Sequence, residues 1–174
     1  SAEVFAEAIE LLDLCWGEDT VVSYDGRHFQ ADKVEICPKP RQRPFRPYMG
    51  SFSRYSMELA AKHDWNLMLA PFAASLVFGG LAEAVQVFRE ICDGAGRNAR
   101  AVKCSYFIHM GDSPEDEKAG RERLIDYFTL SGLRSTKTMG TKLPPTMAYY
   151  KKIGQALTDI TADDLGPHSI LLGP

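Results

Sequence analysis

The sequence predicts an α/β fold in which parallel strands are joined by crossover helices. Over residues 48–128, short apolar segments alternate with segments of helical period, in the order strand, helix, strand, helix, strand, helix. The connections are short and the strand segments are apolar, which is typical of a parallel sheet packed against helices. The crossovers are expected to be right-handed, as they are in nearly all βαβ units.

The segments before this pattern are predicted as a helix and a hairpin. Residues 1–17 contain the helix, since apolar side chains recur there at spacings of three to four, at Phe5, Ile9, Leu12 and Trp16. Within residues 18–47, an Asp25-Gly26 pair lies between β-formers, which predicts a hairpin turn. Four prolines in residues 38–47 exclude a helix or a central strand, and we expect this segment to lie as an extended strap over the domain surface.

Three strand–helix units are predicted over residues 48–128. Ser53 is the expected N-cap of the first helix, and Ser113 with Pro114 begins the last one. The units are strand 48–50 with helix 54–63, strand 66–70 with helix 81–92, and strand 101–110 with helix 114–128.

The remaining residues, 129–174, are predicted as an irregular tail. Residues 147–157 have a helical pattern and residues 168–172 form a short apolar segment, whereas the rest is rich in polar and turn residues. The chain 1–174 is therefore interpreted as a single domain.

Composition narrows the class of function. Hydrophobic residues make up 45% of the chain and charged residues 25%, as in an ordinary globular protein. The net charge of −3 argues against a dedicated nucleic-acid surface, which is usually basic. No segment approaches the ~20 consecutive apolar residues of a membrane span, and the first residues lack the basic start of a signal peptide.

The cysteines and histidines indicate neither a disulfide framework nor a metal site. The spacing of the four cysteines matches no zinc motif, and reduced thiols in a cytoplasmic protein are expected. A thiol enzyme that uses Cys92 or Cys104 as nucleophile is the alternative. The four histidines are widely separated in sequence, so no local metal-binding motif is present.

The turn Gly50-Ser51-Phe52-Ser53 is the strongest candidate site, because ligands of parallel α/β folds bind at the carboxyl ends of strands. Small residues let the backbone approach a ligand, and the helix that follows offers free N–H groups that suit a phosphate. The hydroxyl groups of Ser51 and Ser53 could add hydrogen bonds. The alternative is that Ser53 only caps the helix in an ordinary βα turn.

Two other strand ends are weaker candidates. The segment Ala70-Pro71-Phe72 could line an apolar pocket, or it could be a plain connection packed on the core. His109 could be a general base, although a single histidine at a strand end is more often structural.

Four segments occur in a characteristic order: the helix FAEAIELLDLCWG, the hairpin and strap VSYDGRHFQADKVEICPKPRQRP, the strand–turn–helix YMGSFSRYSMELAAKH, and the helix FREICDGAG. This series resembles the luciferase-like flavin-dependent monooxygenases. The resemblance implies a (β/α)8 TIM-type barrel, of which a complete copy takes ~250 residues. The chain is therefore expected to be a partial barrel, the carboxy-terminal part of the family chain, and its catalytic residues remain unknown.

The resemblance also implies a cofactor and partners. Reduced FMN, supplied by a separate NAD(P)H-dependent flavin reductase, would react with O2 and a small apolar organic substrate, and in one branch the deazaflavin F420 replaces FMN. The turn Ser51-Phe52-Ser53 with Gly50 would hold the flavin phosphate, and Ala70, Pro71 and Phe72 would lie near the flavin or the substrate. A homo-oligomer is expected. A non-catalytic α/β module for assembly or ligand binding is the alternative.

Overall fold

A computed structural model of the chain describes residues 2–98, 100–138, 148–166 and 170–173. Within these residues there are six α-helices, seven strands and one short 3₁₀ turn at Ala162–Asp164. The helices are α1 (Ala2–Trp16), α2 (Arg54–Lys62), α3 (Pro71–Phe78), α4 (Leu81–Gly94), α5 (Pro114–Thr138) and α6 (Ala148–Thr158). The strands are β1 (Val21–Asp25), β2 (Gln30–Glu35), β3 (Tyr48–Gly50), β4 (Asn66–Leu69), β5 (Val102–Cys104), β6 (Phe107–Met110) and β7 (Ile170–Gly173).

The strands form three separate sheets in the described residues. Strands β3, β4 and β5 are parallel neighbours, with β4 in the centre. Strands β6 and β7 form a second parallel pair, and β1 and β2 form an antiparallel hairpin. The α/β class with parallel strands is confirmed, while the described strands do not form a closed barrel.

The main hydrophobic core lies on one face of the three-stranded sheet. Strand β4 places Leu67 and Leu69 on this face, and both are buried. Helix α4 faces them with Ala84, Phe88 and Cys92, whose spacing of four puts all three on one helical face. Burial of these apolar side chains is the principal force that holds α2 and α4 on the sheet.

The opposite face of the same sheet is partly exposed among the residues that the structure describes. Met68 alternates onto it and is 40% exposed. Lys103, its neighbour on β5, places its ammonium group 4.2 Å from the ring centroid of Tyr48. This face carries polar and apolar side chains together, and no described helix covers it.

A second, smaller core joins α5 to the β6–β7 pair. Its buried residues are Leu124, Phe128, Ile160, Leu165 and Ile170. The ring of Phe72, at the start of α3, stacks on Phe128 with 4.5 Å between the centroids. The other face of β6 is bare, since Ile108 and Met110 are 66% and 65% exposed.

The expected strand 101–110 is corrected to two strands. The Ser105 amide still donates to Leu69 O, which ends the ladder between β4 and β5. The chain then turns at Tyr106 and continues as β6, which pairs with β7 instead. An apolar segment does not show which strand each of its halves will pair with. The partner of β6 lies 63 residues further along the chain, as in the pair Phe107 and Ile170.

Three element boundaries also differ from the expectation. Residues 71–78 are a helix, not a connection, because Pro71 takes the first helical position where its missing N–H costs nothing. Helix α5 continues ten residues beyond 128, to Thr138. Residues 129–174 are thus not irregular throughout, since they include the end of α5, α6 and β7. The assignment of 1–174 to a single partial-barrel domain stays a prediction.

The hairpin is anchored on α1 by one carboxylate. Glu7 Oε1 accepts the amides of His28 and Phe29 at 2.8 and 2.7 Å. Desolvation raises the pKa of Glu7, but the amide hydrogen bonds from Phe29 and His28 outweigh it, so this pKa lies below its ordinary value. The hairpin prediction from Asp25-Gly26 is confirmed.

A second carboxylate on α1 joins this helix to the corner between α2 and β4. Asp13 Oδ1 accepts the indole N–H of Trp65 at 2.6 Å, and Asp13 Oδ2 contacts His63 Nδ1. Trp65 is buried, and only 9% of the His63 side chain is exposed. Two buried polar groups therefore depend on one acidic side chain.

Residues 38–47 contain no helix or strand, as their prolines predict. Lys39 Nζ donates to Cys15 O at 2.8 Å, and the ring of Phe45 packs edge-on against Trp16. Arg46 binds Asp64, which also pairs with Arg100. The role of this segment as a strap over the whole domain stays a prediction.

Within the described residues, no single helix has the length and hydropathy to cross a membrane, although the bent pair α3–α4 passes that test by length and composition alone. In the same part of the chain, no cluster of three or more histidine, cysteine or acidic side chains could hold a metal ion.

Candidate functional site

The Gly50–Ser53 turn lies at the carboxyl edge of the three-stranded sheet. Strands β3, β4 and β5 run in the same direction, so Gly50, Leu69 and Cys104 end side by side at this edge. The Ser51 amide donates to Met68 O at 3.1 Å and ties the turn to β4. Topology therefore brings this turn next to the Ala70–Phe72 segment, as the sequence predicts for parallel strands.

Three serines hold the turn in place. Ser51 Oγ lies 2.6 Å from Ser56 Oγ and 3.1 Å from Ser53 O, and the Ser51 residue is 2% exposed. Ser53 Oγ lies 3.0 Å from Ser56 Oγ and accepts the Ser56 amide at 3.2 Å. Ser53 is thus the N-cap of α2, which confirms that prediction.

The positions of their hydroxyl groups give Ser51 and Ser53 different hydrogen-bonding roles. Ser51 is buried and its hydroxyl group lies within donating distance of Ser53 O and Ser56 Oγ, so it supports the turn from inside. Ser56 Oγ can donate to Ser53 O at 2.9 Å. Ser53 Oγ accepts the Ser56 amide, and its own proton can be donated either to Ser56 Oγ at 3.0 Å or to an acceptor outside the turn.

The backbone around the turn suits an anion. Helix geometry leaves the first amides of α2, those of Arg54 and Tyr55, without an intrahelical acceptor. A Cβ built on Gly50 would have no atom within 4 Å, so the space beside this residue is open. The helix N-terminus adds a partial positive charge at the same place. Arg54 itself is engaged by Glu58 at 3.1 Å.

The Ala70–Phe72 segment is placed partly in the core and partly on a cavity. Pro71 is buried and begins α3, and Phe72 packs into the second core. Phe72 also lines a cavity of about 350 Å³ together with Leu76 and Ile160. Two carboxylates, Asp159 and Asp164, lie at the same cavity.

His109 is held between β6 and α5. A Cβ built on Gly120 would lie 2.4 Å from the imidazole Cδ2, so the ring packs directly against the backbone of the helix. Its Nε2 is buried without a hydrogen-bond partner among the described residues. This packing favours the structural interpretation of His109.

The two candidate thiols, Cys92 and Cys104, show no sign of nucleophilic activation. All four cysteines are free, and Cys92 is completely buried. Desolvation raises the pKa of Cys92, and it also raises that of Cys104. Neither side chain is thereby favoured as a thiolate near neutral pH, which counts against a thiol enzyme.

Ser56 is the site residue that the sequence interpretation missed. It connects Ser51 and Ser53, and it supplies both a hydroxyl group and the capped amide. A serine three residues after a serine N-cap was the available signal, because the residue at this helical position faces the cap.

We expect the Ser53→Ala substitution to lower the free energy of unfolding by about 1 kcal/mol, because the amide of Ser56 loses its acceptor. Urea unfolding followed by circular dichroism measures the change. Ser113→Ala is a matched control, since Ser113 Oγ accepts the Asp116 amide at 3.1 Å at the start of α5. Ser53→Asp, which keeps an acceptor, should restore most of the loss. Equal stability of Ser53→Ala and the parent chain would contradict the capping role.

The chain was compared with known families and structures. The family profile described as luciferase-like monooxygenase matches residues 1–164. No curated protein sequence matches the chain.

Solved structures share its fold, among them the following two. An F420-dependent secondary alcohol dehydrogenase in complex with an F420–acetone adduct gives a TM-score of 0.66 at 16% identity, over 99% of this chain and 48% of that one. The monooxygenase RslO1 from Streptomyces bottropensis gives a TM-score of 0.60 at 18% identity, over 97% of this chain and 53% of that one. The chain thus spans about half the length of both structures.

Proposed function

The chain belongs to the luciferase-like monooxygenase family, and from this premise we propose that it is part of a flavin-dependent oxidoreductase that acts with O2 on a small apolar organic substrate. The observation that carries the proposal is the Gly50–Ser53 turn at the carboxyl edge of the parallel sheet. Family members are oxidoreductases of TIM-barrel fold. Because the chain spans about half of its structural neighbours, the activity proposed is that of a whole barrel.

In this proposal the turn binds the phosphate of FMN. The amides of Arg54 and Tyr55 and the hydroxyl group of Ser53 would donate to it, while Ser51 and Ser56 keep the turn in shape. The open space beside Gly50 supports a close approach of the ligand to the backbone. When bound, the reduced flavin would supply the electrons of the reaction.

The neighbouring segment is proposed to face the substrate. Phe72 and Leu76 give the cavity beside α3 an apolar wall, which fits an apolar organic molecule. A separate NAD(P)H-dependent flavin reductase is proposed as the source of reduced flavin, and a homo-oligomer as the working form. The cytoplasm is the proposed location, in accord with four free thiols.

An F420-dependent oxidoreductase is the second candidate. It is favoured by one observation, the TM-score of 0.66 with an F420-dependent secondary alcohol dehydrogenase. Both cofactors carry a phosphate group, so the same turn would serve either one. The choice between them depends on binding measurements.

The experiment is a fluorescence titration of the chain with FMN, F420 and riboflavin. Riboflavin is the matched ligand, since it differs from FMN only in the missing phosphate. We expect FMN or F420 to bind at least about tenfold more tightly than riboflavin, equivalent to one charge-assisted contact of ~1.4 kcal/mol. Ser53→Ala should reduce this preference for the phosphate.

The control separates phosphate binding from stability. Ser113→Ala loses a similar helix cap far from the turn in sequence, so it should leave the affinity for FMN unchanged. A result in which neither FMN nor F420 binds more tightly than riboflavin, or in which both serine variants weaken binding equally, would contradict a phosphate site at this turn. A folded chain that binds none of the three ligands would favour the non-catalytic module.

A further inference from the structure

A second cavity, which we call the basic cavity, lies at the opposite edge of the three-stranded sheet. Its volume is about 670 Å³. Tyr48 and Asn66, the first residues of β3 and β4, line it together with Ala101, which directly precedes β5. The basic cavity is therefore at the amino ends of the strands, whereas the Gly50–Ser53 turn is at their carboxyl ends.

Four positively charged side chains line the basic cavity: Arg43, Arg46, Arg100 and Lys103. They come from three places in the sequence, the proline-rich segment, the residue pair before β5, and β5 itself. Among the described residues that line it, none is acidic. The chain as a whole has a net charge of −3, so the lining of the cavity has the opposite sign of charge from the chain as a whole.

One carboxylate, that of Asp64, neutralises only part of this positive charge. Asp64 Oδ2 accepts from Arg46 Nε at 2.9 Å, and Asp64 Oδ1 pairs with Arg100 Nη2. Desolvation raises the pKa of Asp64, but Arg46 and Arg100 together lower it below its ordinary value, which marks a carboxylate held firmly in its charged form. Subtracting this one charge from four leaves a net charge of +3 on the group.

The guanidinium groups keep donors beyond those that Asp64 uses. Each guanidinium carries five N–H donors. Arg46 uses Nε on Asp64, and Arg100 Nε is buried without a hydrogen-bond partner among the described residues. Lys103 has its ammonium group over the ring of Tyr48, which orients it on the partly exposed face of the sheet.

We propose that the basic cavity binds a small anion that carries two or more phosphate or carboxylate groups. Asp64 forms ion pairs with Arg46 and Arg100 but not with Arg43 or Lys103, so these last two contribute positive charges that Asp64 does not neutralise. Arg46 and Arg100 contribute the N–H donors that Asp64 does not use. Asp64 fixes the two arginines in position before the ligand arrives. Guanidinium groups match the geometry of phosphate and carboxylate oxygens, which explains why three of the four cations are arginines.

The proposal is tested by isothermal titration calorimetry of the 174-residue chain at low ionic strength, where charge–charge interactions are weakly screened. Pyrophosphate and citrate are the probes, and their comparison distinguishes phosphate from carboxylate ligands. Lys103→Gln and Arg43→Gln each remove one charge from exposed side chains. Lys151→Gln on α6, also exposed, removes the same charge elsewhere and is the matched control.

We expect at least one probe to bind, and each of the two cavity variants to weaken it about five- to tenfold, as the loss of one charged contact predicts. Lys151→Gln should change the affinity by less than about twofold. Ser53→Ala tests the turn separately: because the turn is at the other edge of the sheet, this variant should not weaken the binding that the two cavity variants weaken.

Three results would overturn the proposal. The first is that neither probe binds. The second is that Lys151→Gln weakens binding as much as Lys103→Gln, which would indicate a response to net charge alone. The third is that Ser53→Ala weakens binding while the cavity variants do not, which would place the anion at the turn. The last result would support the proposed flavin-phosphate site, so the two proposals fail separately.

Discussion

Replacing Phe88 by alanine is expected to lower the free energy of unfolding by about 3–5 kcal/mol. Phe88 is fully buried in the main core, between the buried face of the sheet and its neighbours on α4. The substitution removes a whole ring and leaves a cavity, because close-packed surroundings relax only in part. A loss of this size is a large fraction of the stability of an ordinary domain.

Urea unfolding measures this loss, and two further variants define its cause. Phe88→Leu keeps most of the volume and should cost less than about 1.5 kcal/mol. Phe5→Ala removes a ring that is 42% exposed on α1, and should cost about 1 kcal/mol or less. If Phe88→Ala lowered the free energy of unfolding no more than Phe5→Ala, then Phe88 would not be packed between α4 and the sheet.

Replacing Asp13 by alanine should have the second largest effect, a loss of about 2–3 kcal/mol. The indole N–H of Trp65 and the imidazole Nδ1 of His63 would both lose their partner. An unsatisfied buried polar group costs about 1–3 kcal/mol. Two such groups would cost about 2–6 kcal/mol, and the loss is expected at the lower end because the Asp13 side chain is 36% exposed and water can reach part of the site.

Tryptophan fluorescence and urea unfolding together test this expectation. Asp13→Asn keeps an acceptor for Trp65 and should recover about half of the loss. Asp19→Ala, which removes an exposed carboxylate just after α1, should change stability by less than about 0.5 kcal/mol. A fluorescence spectrum of Asp13→Ala identical to that of the parent chain, with equal stability, would show that Trp65 does not depend on this carboxylate.

Local signals in the sequence predict most of the individual elements. The spacing of apolar residues identifies α1 and α4, the Asp25-Gly26 pair identifies the hairpin, and Ser53 marks the start of α2. These features depend on residues within one or two turns of each other, so they are visible in a single sequence. The parallel arrangement of β3 and β4 follows from the alternation of strands and helices.

Features that depend on distant partners are not predictable in this way. The division of residues 101–110 into β5 and β6 is decided by pairing with β4 on one side and β7 on the other. Phe72 belongs to the second core because Phe128 lies beneath it, and no pattern near Phe72 indicates this. Helix α5 extends past residue 128 although its later residues include glycine and serine, because contacts with α6 outweigh weak local propensity.

In the candidate site, too, some features follow from the local sequence and others depend on the fold. The sequence predicts the turn, its position at a strand end and the capping serine, whereas the burial of Ser51 and the bridging role of Ser56 emerge only from the fold. The basic cavity is lined by residues from positions 42 to 103, so no contiguous sequence motif predicts it.

The break between β5 and β6 has a consequence for the cooperativity of the chain. The buried residues of the main core and those of the second core form two separate sets. Each set has its own parallel sheet and its own helices, and the connections between them are the short turn at Ser105 and Tyr106 and the helix α3. We therefore expect the α5–α6 unit to open more readily than the three-stranded sheet that carries the Gly50–Ser53 turn, with the packing of α3 on both cores opposing this opening.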